Sequence, residues 1–388
     1  MKKISILLAF VAFGLFAQTS EEFAQEQKNA FESYKNAQED EFDEYKREQT
    51  RAFAQYKNEI EQIWEDPKMS TKKKWLSYSE DKKTRSDVDF ENEIIIIETI
   101  AASPEEAKRN LQEALEKVVT VDTKTVQEND PLQMRLDRIK KPAEMADARV
   151  KAEPILSTVV FEREPSEKVV KEYVGKRVSI ETIQVSPSLK IEHSKIFSVS
   201  VKMPSDAMVK RSKVYRDEIK KQAREQKLPV SLVFAVMHTE SNFNPRARSY
   251  VPAYGLMQLV PKTAGVDSYQ YLYNEKKLVS DRYLYNSENN IKMGTAYLHI
   301  LYYRYLAKIK NPLSRTHCAI AAYNTGAGNI AYAFTKTRNM NMAAPIINQL
   351  TPDEVYARLL KDLRWEEPKT YLKNVTKRMS AYRELYES

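Results

Sequence analysis

Hydrophobic positions divide the chain into stretches of different period. Behind Lys2 and Lys3, a mostly apolar run extends from Ile4 to Ala17 and ends on a small residue. The run falls short of the roughly 20 apolar residues that cross a bilayer, so 1–17 reads as a signal peptide, with an uncleaved anchor as the alternative. Over 18–66 polar residues dominate and aromatic residues recur every eleven: Phe31, Phe42 and Phe53, each followed three residues later by Tyr34, Tyr45 and Tyr56. Eleven residues in three turns keep both columns on one face of a nearly straight helix. That face needs a cover. Either the 23–64 helix self-associates or docks on a partner, or it folds back on its own domain. The opposite face, dense in Glu, Lys and Gln, is a solvated one.

Over 85–204 the pattern changes to β-branched runs, VDFENEIIIIETI, ILSTVVFERE, RVSIETIQV and KIFSVSVKM, which predict strands. Between the first two, SPEEAKRNLQEALEKVV predicts a helix with Ser103 as its cap, Pro104 at its first position and Glu106 three residues after the cap. The mixture predicts a small α+β domain whose acids and lysines are spread as on a solvated surface. Beyond Pro204 the period becomes helical, with Tyr215, Ile219 and Ala223 spaced four apart, and stays helical over 212–388. The predicted fold class is therefore α+β: a helical extension and a small α+β domain, then an all-α domain.

Within that last part, LPVSLVFAVMHTESNFNP poses a chemical question. A helix starting near Val230 should end at Glu240, because Asn242 to Pro245 is turn chemistry and the residue before a proline resists the helical region. A carboxylate there faces the negative end of the helix dipole among apolar neighbours, and both effects disfavour its ionisation. An acid that keeps its proton near neutrality can protonate a leaving oxygen, the demand of glycosidic cleavage. An ordinary surface glutamate at a helix end is the competing reading.

The following residues favour the chemical reading. Glu240-Ser241 is followed by Asn244-Pro245, Ser249, Gly255-Leu256-Met257-Gln258 and, further on, Ala322-Tyr323-Asn324-Thr325-Gly326-Ala327-Gly328. In this order and spacing the motifs resemble the soluble lytic transglycosylase domain, a lysozyme-like family. The resemblance implies a lysozyme-like catalytic domain with Glu240 as catalytic acid and Ser249 hydrogen-bonding near the acid and the sugar. It implies Met257 and Gln258 as cleft wall and substrate contact, and Tyr323 and Asn324 as the floor. Tyr371 matches a carboxy-terminal tyrosine close to the acid, although Lys369-Thr370 departs from the family's Glu-Thr. Upstream, TRSDVDFENEIIIIETIAAS and IFSVSVKMPSDAMVKRSKVY resemble the amino-terminal domain of the membrane-bound lytic murein transglycosylase C family.

The implied substrate is the glycan strand of peptidoglycan, and the implied reaction uses one carboxylate where most glycosidases use two. The acid protonates the oxygen between N-acetylmuramic acid and N-acetylglucosamine, and the muramoyl C6 hydroxyl then closes a 1,6-anhydro ring. A hydrolytic muramidase on the same fold and a non-catalytic murein-binding scaffold are the alternatives. No cofactor is implied.

A formal net charge of +8 suits an anionic partner, here wall polymer or membrane head groups, and no zinc-finger, phosphate-loop or RNA-binding signature supports nucleic acid. The one cysteine, Cys318, lies within a helical pattern, so the leader offers none for the lipid anchor of the resembled family. Periplasmic residence after export and peripheral outer-membrane association are both expected on that basis. His238-Thr239-Glu240 lacks a second histidine four residues on, which argues against a metal site. The tyrosines from Tyr269 to Tyr285 suit either a sugar-stacking wall or a loop packed by its own aromatics.

Overall fold

A computed structural model describes residues 20–250 and 252–387, with side chains from 41 onward; the proposed signal at 1–17 and the side chains of Phe31 and Tyr34 lie outside this range. Helix α1 (Ser20–Glu61) leads into a sheet of β1 (Lys74–Tyr78), β2 (Thr84–Asp89), β3 (Ile94–Ala101), β4 (Gln184–Pro187) and β5 (Lys195–Lys202). Between β3 and β4 come α2 (Pro104–Thr120), α3 (Thr123–Asn129), α4 (Pro131–Asp137), α5 (Ser157–Val160) and α6 (Glu167–Arg177). The remainder is helical: α7 (Ala207–Val214), α8 (Arg216–Glu225), α9 (Val230–Ser241), α10 (Val266–Tyr273), α11 (Asp281–Tyr285), α12 (Ser287–Ile300), α13 (Pro312–Thr325), α14 (Ala327–Thr335), α15 (Met340–Ile347), α16 (Pro352–Asp362) and α17 (Glu366–Tyr386).

The sheet is antiparallel throughout in the order β1-β2-β3-β5-β4. Side chains alternate across it, so Ile95 and Ile97 are buried while Ile94 and Ile96 are only partly covered. The buried set packs under α2 through Leu111, Leu115 and Val118. That helix starts as its sequence predicts: the Ser103 hydroxyl accepts the Glu106 N–H at 3.2 Å, and the Glu106 carboxylate accepts the Ala102 N–H at 3.0 Å.

Three expected strands are corrected. VDFENEIIIIETI is not one strand but the end of β2, a turn at 90–93 and then β3, because the Asp89 carboxylate accepts the N–H groups of Glu91 (3.0 Å) and Asn92 (2.8 Å) and so reverses the chain. In ILSTVVFERE, Ser157–Val160 forms one helical turn, α5, because Ile155, Leu156 and Val159 are buried in one core, and that packing outweighs the β-branched character of Ile155, Val159 and Val160. In RVSIETIQV the strand is confined to Gln184–Pro187, since Arg177 still belongs to α6.

The aromatic face of α1 is covered by the chain itself over its described side chains. Tyr45, Gln49, Tyr56 and Ile60 are buried, a stripe at helical spacing. Tyr56 meets Tyr78 edge-on at 6.3 Å, the Arg248 guanidinium lies 3.5 Å over Phe53, and Arg135 grips Glu59 with two hydrogen bonds of 2.6 and 2.7 Å. An external partner is not needed to cover this half of the helix.

In the carboxy-terminal half, α9 is apolar on every side, and Leu232 to Met237 are all buried, as befits a central helix. Helix α17 packs along it, with Phe234 stacked on Tyr382 at 5.1 Å and on Tyr386 at 4.3 Å. A polar seam joins the two halves. Buried Arg211 donates to the carbonyls of Asn242 (3.2 Å) and Phe90 (3.0 Å) and pairs with Glu93 at 3.3 Å. Arg246 donates to Gln127 at 2.8 Å, and Gln133 donates to Asp281 at 2.9 Å.

Candidate active site

Glu240 lies in the last turn of α9, 5% exposed. Asn242 and Phe243 both adopt the left-handed conformation, φ 53° and 60°, which ends the helix abruptly and swings the chain away beneath the carboxylate. The Ser241 hydroxyl donates to the Leu256 carbonyl at 2.7 Å and so fastens this helix end to the loop at 255–258.

That loop has its own requirements. Gly255 sits at φ 74°, and a Cβ there would come within 2.4 Å of both the Asn290 amide and the Leu284 carbonyl, so only glycine fits. Buried Asn290 on α12 organises the turn: its oxygen accepts the Met257 N–H at 2.8 Å, and its NH2 donates to the carbonyls of Tyr254 (2.9 Å) and Leu284 (2.8 Å). Met257 is fully buried beside Gly294. Gln258, at φ 50°, donates to the Gly255 carbonyl at 3.0 Å, and its side-chain oxygen has no hydrogen-bond partner among the described residues. The Tyr323 phenol on α13 donates to the Met257 carbonyl at 2.9 Å and so ties floor to loop.

Helix α17 supplies Tyr371, buried against the acid. Its hydroxyl makes no hydrogen bond of ordinary geometry, yet it stands close enough to Glu240 that each affects the other's ionisation. Asn324 donates to Glu367 at 3.3 Å, and Glu367, in the first turn of α17, lies near enough to Glu240 to act on its charge. Ser249 is engaged in closing its own loop: its hydroxyl accepts the Ala253 N–H at 3.0 Å, and its N–H donates to the Ala253 carbonyl at 3.1 Å.

Burial raises the Glu240 pKa from 4.5 to about 7, against the opposing pull of Lys72, Tyr371 and Lys73, with Glu367 adding to the rise. At neutral pH such a group is populated in both forms and can give a proton and take one back. The two phenols beside it, Tyr323 and Tyr371, are pushed well above their ordinary values, first by burial and then by the Glu240 charge, so both stay neutral donors. His238 is also kept neutral, its pKa pushed down to about 3 by burial and by Arg378 and Arg211, with its Nδ1 3.1 Å from the Tyr382 hydroxyl. Among the described residues no group of three His, Cys, Asp or Glu side chains could hold a metal.

Sequence reasoning missed Lys72, Glu367 and Asn290. Asn290 had a signal, an amide on the apolar side of a helical pattern. Lys72 had none, since it lies in the amino-terminal half within a run of three lysines. Among the tyrosines at 269–285, Tyr269 packs on Tyr273 (4.6 Å) and Tyr283 (6.1 Å), while Tyr271 stacks on His299 (4.9 Å) and Tyr285 meets Tyr254 (5.6 Å). A cavity of about 340 Å³ lies away from the acid, under β1 and β2, lined by Trp75, Ser77, Ser86 and Lys117, and none of the sequence-predicted site residues reaches it.

Comparison with known proteins places this geometry. Residues 38–214 match the family described as membrane-bound lytic murein transglycosylase C, N-terminal domain, and 217–345 match the transglycosylase SLT domain. Membrane-bound lytic murein transglycosylase C of Serratia proteamaculans is 32% identical over 330 residues, 84% of this chain and 87% of that protein. The chain belongs to this family. The Klebsiella pneumoniae protein of the same name is 30% identical over 327 residues, 84% of this chain and 86% of its own length. Among solved structures, the lytic transglycosylase Slt of Pseudomonas aeruginosa aligns at 26% identity over 46% of this chain and 27% of that one, with a TM-score of 0.35. In this family member the acid's surroundings come from both matched regions: Lys72 lies in the first, while Glu240, Met257 and Tyr323 lie in the second. Tyr371 and Glu367 follow the end of the second.

Proposed function

We propose that this chain is a lytic murein transglycosylase that cleaves the β-1,4 bond between N-acetylmuramic acid and N-acetylglucosamine in peptidoglycan and leaves 1,6-anhydro ends. The observation that carries the reading is a single buried carboxylate, Glu240, whose pKa is raised to about 7 between two neutral phenols. In the first step the Glu240 carboxyl gives its proton to the glycosidic oxygen, the C1–O bond breaks with its electron pair on that oxygen, and N-acetylglucosamine leaves. In the second, the C6 hydroxyl of the same muramoyl ring bonds to C1 and returns its proton to the Glu240 carboxylate. One residue serves as acid and then base, because the nucleophile belongs to the substrate. The phenols and the amides of Gln258 and Asn324 are the dipoles available to the oxocarbenium-like charge.

Glu367 supports a second reading, hydrolysis, in which it would act as base toward water. Its side chain is 72% exposed, and its Oε1 accepts from Asn324 at 3.3 Å and lies 3.8 Å from the Lys72 ammonium, so it is not held as a poised base. Muropeptide masses after digestion of purified peptidoglycan separate the two. Under the transglycosylase reading, wild type and Glu367→Gln both release anhydro products and Glu240→Gln releases none. Products heavier by one water, abolished by Glu367→Gln, would establish hydrolysis.

The name of the relatives, membrane-bound, together with the expected signal at 1–17, favours the cell envelope, with peptidoglycan as the macromolecular partner. Among the described residues no helix is long and apolar enough to cross a membrane.

A further inference from the structure

The amino-terminal domain reaches the acid itself. Its turn at 71–74 precedes β1 and is closed internally: the Thr71 hydroxyl accepts the N–H groups of Lys73 (3.3 Å) and Lys74 (3.2 Å), and the Thr71 N–H donates to the Lys74 carbonyl at 2.9 Å. The same turn is bonded to the loop that follows α9, with the Asn244 amide donating to the Lys72 carbonyl at 3.3 Å and the Arg248 N–H to the Thr71 carbonyl at 3.4 Å. Backbone held on both sides delivers one side chain into the cleft. The Lys72 ammonium lies 3.8 Å from the Glu240 carboxylate and 3.8 Å from that of Glu367, and is 36% exposed.

We propose that Lys72 is a positioning residue for the reaction, a fixed positive charge with which the amino-terminal domain stabilises the Glu240 carboxylate left after proton donation. The proposal rests on the transglycosylase reading of Glu240. At 3.8 Å the contact is too long for a hydrogen bond, so the effect is one of charge, and charge at this distance favours the ionised form. The other groups facing the carboxylate are Lys73 from the same turn, Tyr371 and Glu367 from α17, and Tyr323 from α13. Tyr371 and Tyr323 stay neutral, and Lys73 and Glu367 act with opposite signs, which leaves Lys72 as the charge that answers the developing carboxylate.

Removing a cation that favours the carboxylate raises the Glu240 pKa, so the protonated acid persists to higher pH but is a weaker donor. The alkaline limb of kcat/KM for anhydro-product release should move upward by about one pH unit in Lys72→Met, and the rate on the plateau should fall roughly ten-fold. Lys72→Arg, which keeps the charge, should hold the limb at the wild-type position. Thermal unfolding of each variant serves as the folding control, and Lys72→Gln is a second neutral variant. An alkaline limb unmoved in both neutral variants would overturn the proposal, whether or not KM changes. Should Glu240→Gln itself retain activity, the reading of the acid fails instead, so the two failures are distinguishable.

Discussion

At the scale of the residue, the buried acid should cost the fold what it offers the chemistry. Glu240 titrates near 4.5 in the unfolded chain and near 7 when folded, so the folded state holds the extra proton between those values. Stability is therefore fully present below about pH 4.5 and falls as pH rises through about 7, by roughly 3 kcal/mol. Glu240→Gln removes the titration: its denaturant midpoint should exceed that of wild type at pH 8 and approach it at pH 4. Equal midpoints across that range would show that the carboxyl is not held in a desolvated site. The sequence made this residue legible because an apolar helix running into Asn242 and Pro245 has nowhere to go but a turn, and Glu240 is its last turn. The size of the shift was not legible, because it depends first on how completely the carboxyl is buried and then on Lys72, Tyr371 and Glu367, which are remote in sequence and come together only through tertiary packing.

At the scale of the element, the loop at 255–258 is a rigid ledge rather than a flexible flap. Asn290 accepts the Met257 N–H and donates to the Tyr254 carbonyl while Leu284 holds its amide in place, Tyr323 donates to the Met257 carbonyl, and Gly255 occupies a place that tolerates no Cβ. Gly255→Ala should displace the loop and lower kcat/KM at least ten-fold, with a loss of roughly 1–3 kcal/mol in stability from strain at φ 74°. A variant of wild-type activity would contradict this account of the ledge. Elements with a clear local signal were legible: the eleven-residue repeat of α1, the capped start of α2 and the β-branched run of β3, though not the turn that separates it from β2. Residues 155–160 were not, because Val159 and Val160 suit a strand locally while burial of Leu156 and Val159 on one side demands a turn of helix. Local preference yields to packing in such short apolar runs. The covering of α1 was likewise open in the sequence, since an aromatic stripe says that it must be covered but not by what.

At the scale of the whole molecule, the two halves form one working unit. The seam is polar and directional, and at its centre Arg211 links the carbonyls of Phe90 in the amino-terminal half and Asn242, the residue that ends α9. Arg211→Leu would take the guanidinium from the Asn242 carbonyl and from Glu93 and leave the Phe90 carbonyl to the Asn242 amide at 3.3 Å, at a cost of roughly 2–4 kcal/mol. Because the same seam seats Lys72, a loss of activity should accompany the loss of stability. Full activity in a destabilised Arg211→Leu protein would mean that the halves act independently. Nothing in the composition announced this coupling. The amino-terminal domain reads as solvated surface because the groups that matter, Thr71, Lys72 and Phe90, are ordinary until they are placed against α9.

The mass of the products decides which reaction Glu240 carries. Purified peptidoglycan digested with the full chain should release muropeptides that end in 1,6-anhydro-N-acetylmuramic acid, lighter by one water than hydrolytic products, and Glu240→Gln should release none. Products of hydrolytic mass, or undiminished digestion by Glu240→Gln, would contradict the account.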